Sequence, residues 1–204
     1  YDRKTRQMHN YLLDTGKPNP GRIIYYIQFY KGNLYLSAPN GLWMLNTDTG
    51  EFKCLIKDMH FLTFLVDKKG DLWLAGTMKL YRWRAQDREA LNSKAMFVSL
   101  DCQAKITKVI QTSDGQIYTS TLGKGVFEYE KDKGKWKRFL VRPDSLLSDF
   151  CYNIMETPGN NILVTTDKSL YIYSPFNKTV YFVGLGLKDG ISAVTEGCGV
   201  WAAS

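Results

Sequence analysis

Short apolar stretches alternate with polar and turn-forming residues along the whole chain, and one arrangement recurs five times. A turn rich in Gly, Asn or Asp is followed by an apolar strand and then by small residues. The turns begin at residues 32, 70, 115, 160 and 198, so successive copies start 38, 45, 45 and 38 residues apart. Alternation at period two is typical of a half-buried strand, and a fixed long period indicates a repeat fold.

Each copy contains more than one strand. A second alternating segment, such as Gly125–Glu130, follows the first at a nearly constant distance, and a hairpin turn such as the one around Gly134 leads to another. A further apolar run precedes each first segment, so each copy holds four strands, which we label a to d. We therefore predict an all-β fold, a β-propeller of four-stranded antiparallel blades. Residues 86–94 have a helix-forming composition, but the repeat predicts a c–d loop there.

About five blades are present, and the chain ends split the first and the last. We expect a single propeller fragment over 1–204. Its two split halves can pair and close a five-bladed ring, or the chain can be an open arc of a larger ring that self-associates. Closure is the slightly favoured alternative. The chain begins with Tyr rather than Met, so we expect an excised or processed fragment. The approximate predicted blades are 1–22 (half), 23–59, 60–104, 105–149, 150–192 and 193–204 (half).

The charge pattern does not predict a nucleic-acid partner. The net charge is +7, from 27 basic and 20 acidic residues, but the basic residues are scattered. Their densest run, from Lys131 to Arg138, surrounds one turn and an edge-like strand, where lysines solvate a loop and block edge pairing. No apolar stretch approaches 18 residues, so we expect membrane attachment only through segments outside this sequence.

Catalytic and metal-binding patterns are missing from the sequence. The four cysteines are spaced about one repeat apart without a metal-ligand pattern, so we expect no cofactor and no metal, and their disulfide state stays open. The two histidines fall in unrelated positions, and no catalytic residue is predicted. Asp149 and Asp167 can face one channel, which keeps a propeller glycosidase as a minor alternative. The cysteines are Cys54, Cys102, Cys151 and Cys198, and the histidines are His9 and His60.

The candidate binding residues lie in the d–a and b–c loops, which share one face of a propeller around the channel mouth. Polar groups on such a rigid rim suit a small polar ligand. Trp83 interrupts the usual sequence after strand c, so it is a better candidate for a surface position and for ligand binding than the other four tryptophans, which are expected to pack between blades. The loop candidates are Arg22, Asn40, His60, Lys79, Lys124, Asp149, Asp167 and Lys168.

The second copy carries a family resemblance. Residues 67–77, Asp-Lys-Lys-Gly-Asp-Leu-Trp-Leu-Ala-Gly-Thr, resemble the two-component regulator propeller repeat. Residues 113–118 are a looser match, and residues 144–149 are similar to the segment that joins blades in that family. The resemblance covers nearly the whole chain. It departs where the repeat's Trp is Tyr35, Tyr118 or Leu163, and where Asn160 replaces the turn Gly.

The resemblance implies a function that composition does not. Such repeats form the periplasmic sensor region of hybrid two-component proteins of Bacteroidetes, ahead of a membrane helix and a kinase. It implies a non-catalytic sensor fragment that recognises an oligosaccharide or another polar ligand, with self-association in the full-length sensor. A propeller that serves only as a protein–protein or dimerisation platform is the alternative. The blade motif is structural, so it assigns no ligand residue.

Overall fold

The computed structural model describes residues 6, 8, 23–89, 93–140, 146–183, 192–196 and 199–203, the last two ranges as backbone strands only. The chain divides into two compact units, residues 1–60 and 61–204. The predicted half-blade at 1–22 lies outside the described residues, except for Arg6 and Met8.

The first unit contains one four-stranded antiparallel sheet, with strands in chain order. Its b and c strands carry most of the buried side chains, among them Leu36, Leu42 and Leu45. Its strands are β1 (Tyr26–Tyr30), β2 (Asn33–Ala38), β3 (Gly41–Asn46) and β4 (Phe52–Lys57).

The second unit contains three further four-stranded antiparallel sheets and a two-stranded one, each again in chain order. The all-β fold of four-stranded blades is therefore confirmed. We call the four-stranded sheets blades 2, 3 and 4, after blade 1 in the first unit. Blade 2 comprises β5 (Thr63–Val66), β6 (Leu72–Ala75), β7 (Lys79–Trp83) and β8 (Phe97–Asp101); blade 3 comprises β9 (Lys105–Gln111), β10 (Ile117–Leu122), β11 (Gly125–Glu130) and β12 (Lys135–Leu140); blade 4 comprises β13 (Cys151–Glu156), β14 (Ile162–Thr166), β15 (Leu170–Ser174) and β16 (Thr179–Val183); β17 (Ser192–Glu196) pairs with β18 (Gly199–Ala203).

One helical segment corrects the sequence interpretation. The c–d connection of blade 2 was expected to be a loop, but it holds a short helix α1, Ala85–Glu89, and a 3₁₀ turn, Ser93–Ala95. Asp71 Oδ1 accepts the N–H of Ala85 at 2.9 Å, which satisfies one free donor at the start of this helix. The helix-forming composition therefore produces a short helix between β7 and β8, and the four-stranded sheet of blade 2 is still complete.

The Asp-x-x-Gly motif of blade 2 builds its a–b turn. Asp67 Oδ1 accepts the backbone N–H groups of Lys69 and Asp71 at 2.9 and 3.0 Å. Its other oxygen, Oδ2, accepts the indole N–H of Trp73 at 2.9 Å. Gly70 has a φ of +89°, which glycine adopts without strain. One buried carboxylate thus fixes both the turn and the tryptophan that follows it.

Trp73 packs the core between blades 2 and 3. Its ring is fully buried and meets Tyr129 and Trp136 edge-on, with centroids 4.9 and 5.7 Å apart. Arg82 lies over Trp73 at 4.7 Å and donates two hydrogen bonds to Asp71 Oδ2, at 2.6 and 2.9 Å. Burial of such large rings dominates the energetics of a core, so this cluster holds the two blades together. Trp73, Tyr129 and Trp136 therefore serve packing between blades rather than ligand binding.

Candidate functional site

The predicted loop residues of the first unit are engaged locally. Arg22 lies outside the described residues. Asn40 accepts the indole N–H of Trp43 at 3.3 Å, and its carbonyl oxygen accepts the N–H of Asp58. His60 is exposed and meets the ring of Tyr25 edge-on, with centroids 4.9 Å apart. These contacts shape the loops of blade 1.

In blade 2, Lys79 and Trp83 have different environments. Lys79 is exposed and lies 3.6 Å from Asp101 of β8, a solvated ion pair across the c–d ladder. Trp83 has 0% of its surface exposed. The expected surface position of Trp83 is therefore wrong. The irregularity after strand c reflects the helix that follows, while Trp83 ends β7 inside the core.

Four of the predicted residues come together where blades 3 and 4 meet. Asp149 O accepts the N–H groups of Gly123 and Gly125 at 2.9 and 3.0 Å, which brings the d–a loop to the b–c turn of blade 3. Asp167 N donates to Phe150 O at 3.3 Å, which adds the b–c turn of blade 4. These four residues are Lys124, Asp149, Asp167 and Lys168. Together with Arg138, which contacts Lys124 and Asp149, we call them the polar rim.

Most charges of the polar rim pair with one another. Arg138 lies 3.7 Å from Asp149 Oδ2 and donates to Lys124 O at 3.1 Å. Lys168 lies 3.9 Å from Asp167 Oδ2, while Asp167 Oδ1 is buried without a hydrogen-bond partner among the described residues. The charged groups of the polar rim are therefore largely paired with one another, and one buried carboxylate oxygen has no hydrogen-bond partner among the described residues.

The thiol of Cys151 lies behind this rim. Burial, and to a smaller extent the nearby carboxylates of Asp149 and Asp167, together raise the pKa of this thiol to about 12. A thiol with such a pKa stays protonated at neutral pH and is a poor nucleophile. Cys54, Cys102 and Cys151 are all free thiols. None of the described residues forms a group of His, Cys, Asp or Glu able to hold a metal ion.

A pocket of about 340 Å³ lies at the opposite end of the same strands. It forms where the a–b turns of blades 3 and 4 meet the c–d turn of blade 4, and the sequence analysis did not predict it. We call it the turn pocket. It is lined by Thr112, Ser113, Asp114, Tyr118, Glu156, Gly159, Asn160, Asn161, Ile162, Pro175 and Phe176.

Hydrogen bonds between blades 3 and 4 shape the turn pocket. The Glu156 carboxylate accepts the backbone N–H of Ser113 at 2.8 and 3.0 Å and its hydroxyl at 2.7 Å. The hydroxyl of Ser113 also lies 3.2 Å from Asn160 Oδ1. These bonds join residues more than 40 positions apart, and no sequence pattern within one repeat signals them. They fix the wall without using the amide nitrogen of Asn160.

Two groups in the wall of the turn pocket, Asp114 and Tyr118, have shifted pKa values. The hydroxyl of Thr112 and the N–H of Gln116 donate to Asp114 and lower its pKa, and Lys131 and Lys68 lower it further. Burial raises the pKa of Tyr118, and Glu128 raises it further. Tyr118 therefore remains a neutral phenol and Asp114 a carboxylate. These two groups offer hydrogen-bonding atoms to a ligand.

Two further features mark the pocket. Phe176, at the edge of the turn pocket, has 99% of its surface exposed. Asn160 has a φ of +57° at the turn position where blades 2 and 3 have glycine. Asparagine tolerates this conformation better than most residues, so the turn is preserved while a side chain is added to the pocket. The missing glycine in the fourth copy was the signal available in the sequence.

Searches by sequence found no matching family model and no matching curated protein. Structural comparison did find relatives. The chain is similar to the extracellular domain of BT4673 from B. thetaiotaomicron, described as a one-component and as a hybrid two-component system. The TM-score is 0.74 at about 20% identity, over 93% of this chain and 26% of that one.

A second extracellular domain, that of the hybrid two-component system BT3049 from the same organism, gives a TM-score of 0.64 at 15% identity over 92% of this chain and 27% of that one. The chain thus spans about a quarter of the length of these domains. YCF48 bound to D1 peptide matches with a TM-score of 0.61 at 12% identity, over 87% of this chain and 57% of that one. These likenesses, with the four-stranded sheets described above, identify the fold of this chain as a β-propeller of four-stranded blades.

Proposed function

We propose that this chain is a ligand-sensing segment of the extracytoplasmic region of a two-component sensor. The similarity to the extracellular domains of BT4673 and BT3049 over more than nine-tenths of the chain supports this proposal. In that arrangement the chain binds the signal and performs no catalysis, and a kinase lies elsewhere in the full-length protein. The location is periplasmic. No helix among the described residues is long and apolar enough to cross a membrane.

The turn pocket is our candidate for the ligand site, and it carries the proposal. Its volume of about 340 Å³ suits a small ligand, and its wall combines an exposed aromatic ring, two side-chain amides and two carboxylates. A sugar ring has an apolar face and a rim of hydroxyl groups. Phe176 offers the surface on which such a face stacks, while Asn160 and Asn161 supply hydrogen-bonding groups. We propose an oligosaccharide fragment as the ligand.

The polar rim is the secondary candidate. Lys124, Asp167 and Lys168 face solvent at least in part, and Asp167 Oδ1 has no hydrogen-bond partner in the part of the chain that the structure describes. A ligand there has to compete with the ion pairs that already hold the rim together. A ligand in the turn pocket does not have to displace ion pairs, so the turn pocket is the better candidate for the binding site.

Calorimetric titration of the chain, and of the complete extracytoplasmic region, against a panel of oligosaccharides tests the proposal. We expect at least one ligand to bind, and Phe176→Ala to weaken that binding by about tenfold, which corresponds to about 1.4 kcal/mol. Phe182→Ala is the matched control, because Phe182 is another exposed ring of blade 4, 55% exposed and outside the pocket lining.

Two results contradict the proposal in different ways. If the complete extracytoplasmic region binds no member of a broad panel, the sensing function with a sugar ligand is wrong. If a ligand binds with equal affinity to wild type and Phe176→Ala, the function stands and the site is wrong. The same titration with Lys168→Ala then tests the polar rim.

A protein-binding platform is the second candidate function. One observation favours it: the chain resembles YCF48, a propeller whose solved structure holds a bound peptide. A glycosidase has less support, because the carboxylates of Asp149 and Asp167 pair with Arg138 and Lys168. Release of reducing sugar from an oligosaccharide by the purified chain would support the glycosidase function.

A further inference from the structure

The outer strand of blade 4 differs from the other outer strands in its charge. Outer strands end a sheet and present unpaired backbone groups, which natural proteins shield with charged side chains. β4 contains two lysines, β8 an aspartate, and β12 two lysines and an arginine. β16 has the sequence Thr-Val-Tyr-Phe-Val and contains no charge. Among the described residues, β16 is thus the outer strand without the charged side chains that protect the others.

The exposed side chains of β16 are uncharged: they are Thr179 and the two aromatic residues Tyr181 and Phe182. Tyr181 is 48% exposed and Phe182 is 55% exposed, on the two opposite faces of the strand. Within the part of the chain that the structure describes, β16 is the terminal strand of its sheet, paired only with β15. If β4 or β12 paired with itself across two copies, its basic residues would be brought close to one another, and like charges across a ladder are destabilising. Pairing of β16 with β16 of a second copy brings no such charges together.

The backbone direction of β16 follows from the ladder. Thr166 N donates to Ser169 O on the β14 side, so the next residue, Leu170, directs its backbone groups to β16. Leu170 pairs with Val183, and the register continues without a shift through Ile172 and Tyr181. Since backbone groups alternate sides along a strand, Val180 and Phe182 direct their N–H and C=O groups outward.

We propose that β16 pairs with β16 of a second copy of this chain, antiparallel and about a two-fold axis at Tyr181. In this register Val180 of each copy exchanges both backbone hydrogen bonds with Phe182 of the other copy. Tyr181 faces Tyr181 of the second copy as a non-hydrogen-bonded pair, with Cα atoms about 4.5 Å apart. The arrangement is self-complementary, as an isologous dimer requires, and the continuous sheet then runs through blade 4 of both copies.

The register is tested by cross-linking through Tyr181→Cys. A Cα separation of about 4.5 Å lies within the range that a disulfide spans. Under mild oxidation of the whole chain, we expect a covalent dimer on a non-reducing gel. Val98→Cys in β8 is the matched control, because Val98 is 45% exposed on an outer strand whose last residue, Asp101, is charged. Wild type in the same reaction reports the contribution of the native thiols.

A second substitution separates strand pairing from simple collision. Val180→Pro removes an N–H that faces outward, a place where an edge strand tolerates proline. In the Tyr181→Cys background it should abolish the cross-link, with circular dichroism confirming that the sheet is kept. If Val180→Pro unfolds the chain, Phe182→Lys serves instead, with loss of dimer measured by sedimentation velocity.

The proposal is overturned if Tyr181→Cys cross-links no faster than Val98→Cys. It is also overturned if the cross-link survives Val180→Pro in a folded chain. If wild type is monomeric at all concentrations and no cross-link forms, the proposed dimer is wrong and the edge binds some other partner. Neither readout involves a ligand, so this test is independent of the proposed sensing function.

Discussion

Blades 2 and 4 build the same backbone turn with different side chains. In both, the first and fifth turn residues are hydrogen-bonded: Asp67 N donates to Asp71 O at 2.9 Å, and Thr157 N donates to Asn161 O at 2.8 Å. In blade 2 the first residue is an aspartate that also holds the indole of Trp73. In blade 4 it is a threonine, whose hydroxyl accepts only the N–H of Asn161, at 3.2 Å.

The difference follows from what each turn has to support. Blade 2 buries an indole N–H, which needs an acceptor, and the carboxylate supplies it. Blade 4 buries Leu163 at the corresponding place, which needs none. The blade that matches the repeat most closely thus uses its polar residues for packing. The blade that departs from it leaves Asn160 and Asn161 to line the turn pocket.

The largest expected effect is the loss of the Asp67 carboxylate. Asp67→Ala leaves a buried indole N–H and two backbone N–H groups without their acceptor, and should lower the free energy of unfolding by about 3 kcal/mol. Thr157→Ala is the matched substitution in blade 4 and should cost about 1 kcal/mol. Urea unfolding of both variants measures the two values. Equal costs would contradict the distinction between the two turns.

A double-mutant cycle sharpens this result. Asp67→Thr and Trp73→Leu together reproduce the blade 4 pair in blade 2. Because the aspartate's extra role is to hold the indole, the double variant should be more stable than the sum of the single effects predicts, by about 1–3 kcal/mol. Strict additivity would show that Asp67 stabilises the turn alone.

The next effect concerns Arg82, which has no counterpart in blade 4, where Ile172 occupies the position. Its guanidinium binds Asp71 through two nitrogens, lies over Trp73 and donates to Tyr129 Oη of blade 3 at 3.0 Å. Lysine cannot reproduce the fork or the stacking, so Arg82→Lys should cost about 2 kcal/mol in urea unfolding. Arg138→Lys, in the exposed pair with Asp149, should cost below about 1 kcal/mol.

These comparisons also show how far the sequence could lead. The spacing of the turns and the alternation around Gly125 predicted the blade correctly, because both are local properties of strands. The exposure of Trp83 was predicted wrongly, because the irregular sequence after strand c begins only beyond Trp83, which ends β7 as a buried residue. The turn pocket was missed because Ser113, Glu156 and Phe176 meet only when blades 3 and 4 pack.

The smallest effect is a pH dependence at the pocket wall. The folded-state pKa of Asp114 lies below its ordinary value of 3.8, chiefly because Thr112 donates to it. Asp114 therefore contributes stability above its unfolded pKa, and this contribution is lost as the pH falls through the lower folded value. In urea unfolding between neutral and strongly acidic pH, the difference between wild type and Asp114→Asn should shrink as the solution becomes acidic. A difference that grows on acidification would contradict the assigned direction.

The account rests on the claim that the irregular a–b turn of the fourth copy supplies binding groups to the turn pocket, which blades 3 and 4 share, while the regular turns serve the fold. Asn160→Gly tests it directly, because it restores the repeat's turn glycine and removes only the side chain that lines the pocket. The free energy of unfolding should stay within about 0.5 kcal/mol of wild type, since glycine suits the left-handed conformation. Calorimetric titration with the best oligosaccharide should show several-fold weaker binding. Unchanged affinity in a stably folded Asn160→Gly chain would contradict the claim.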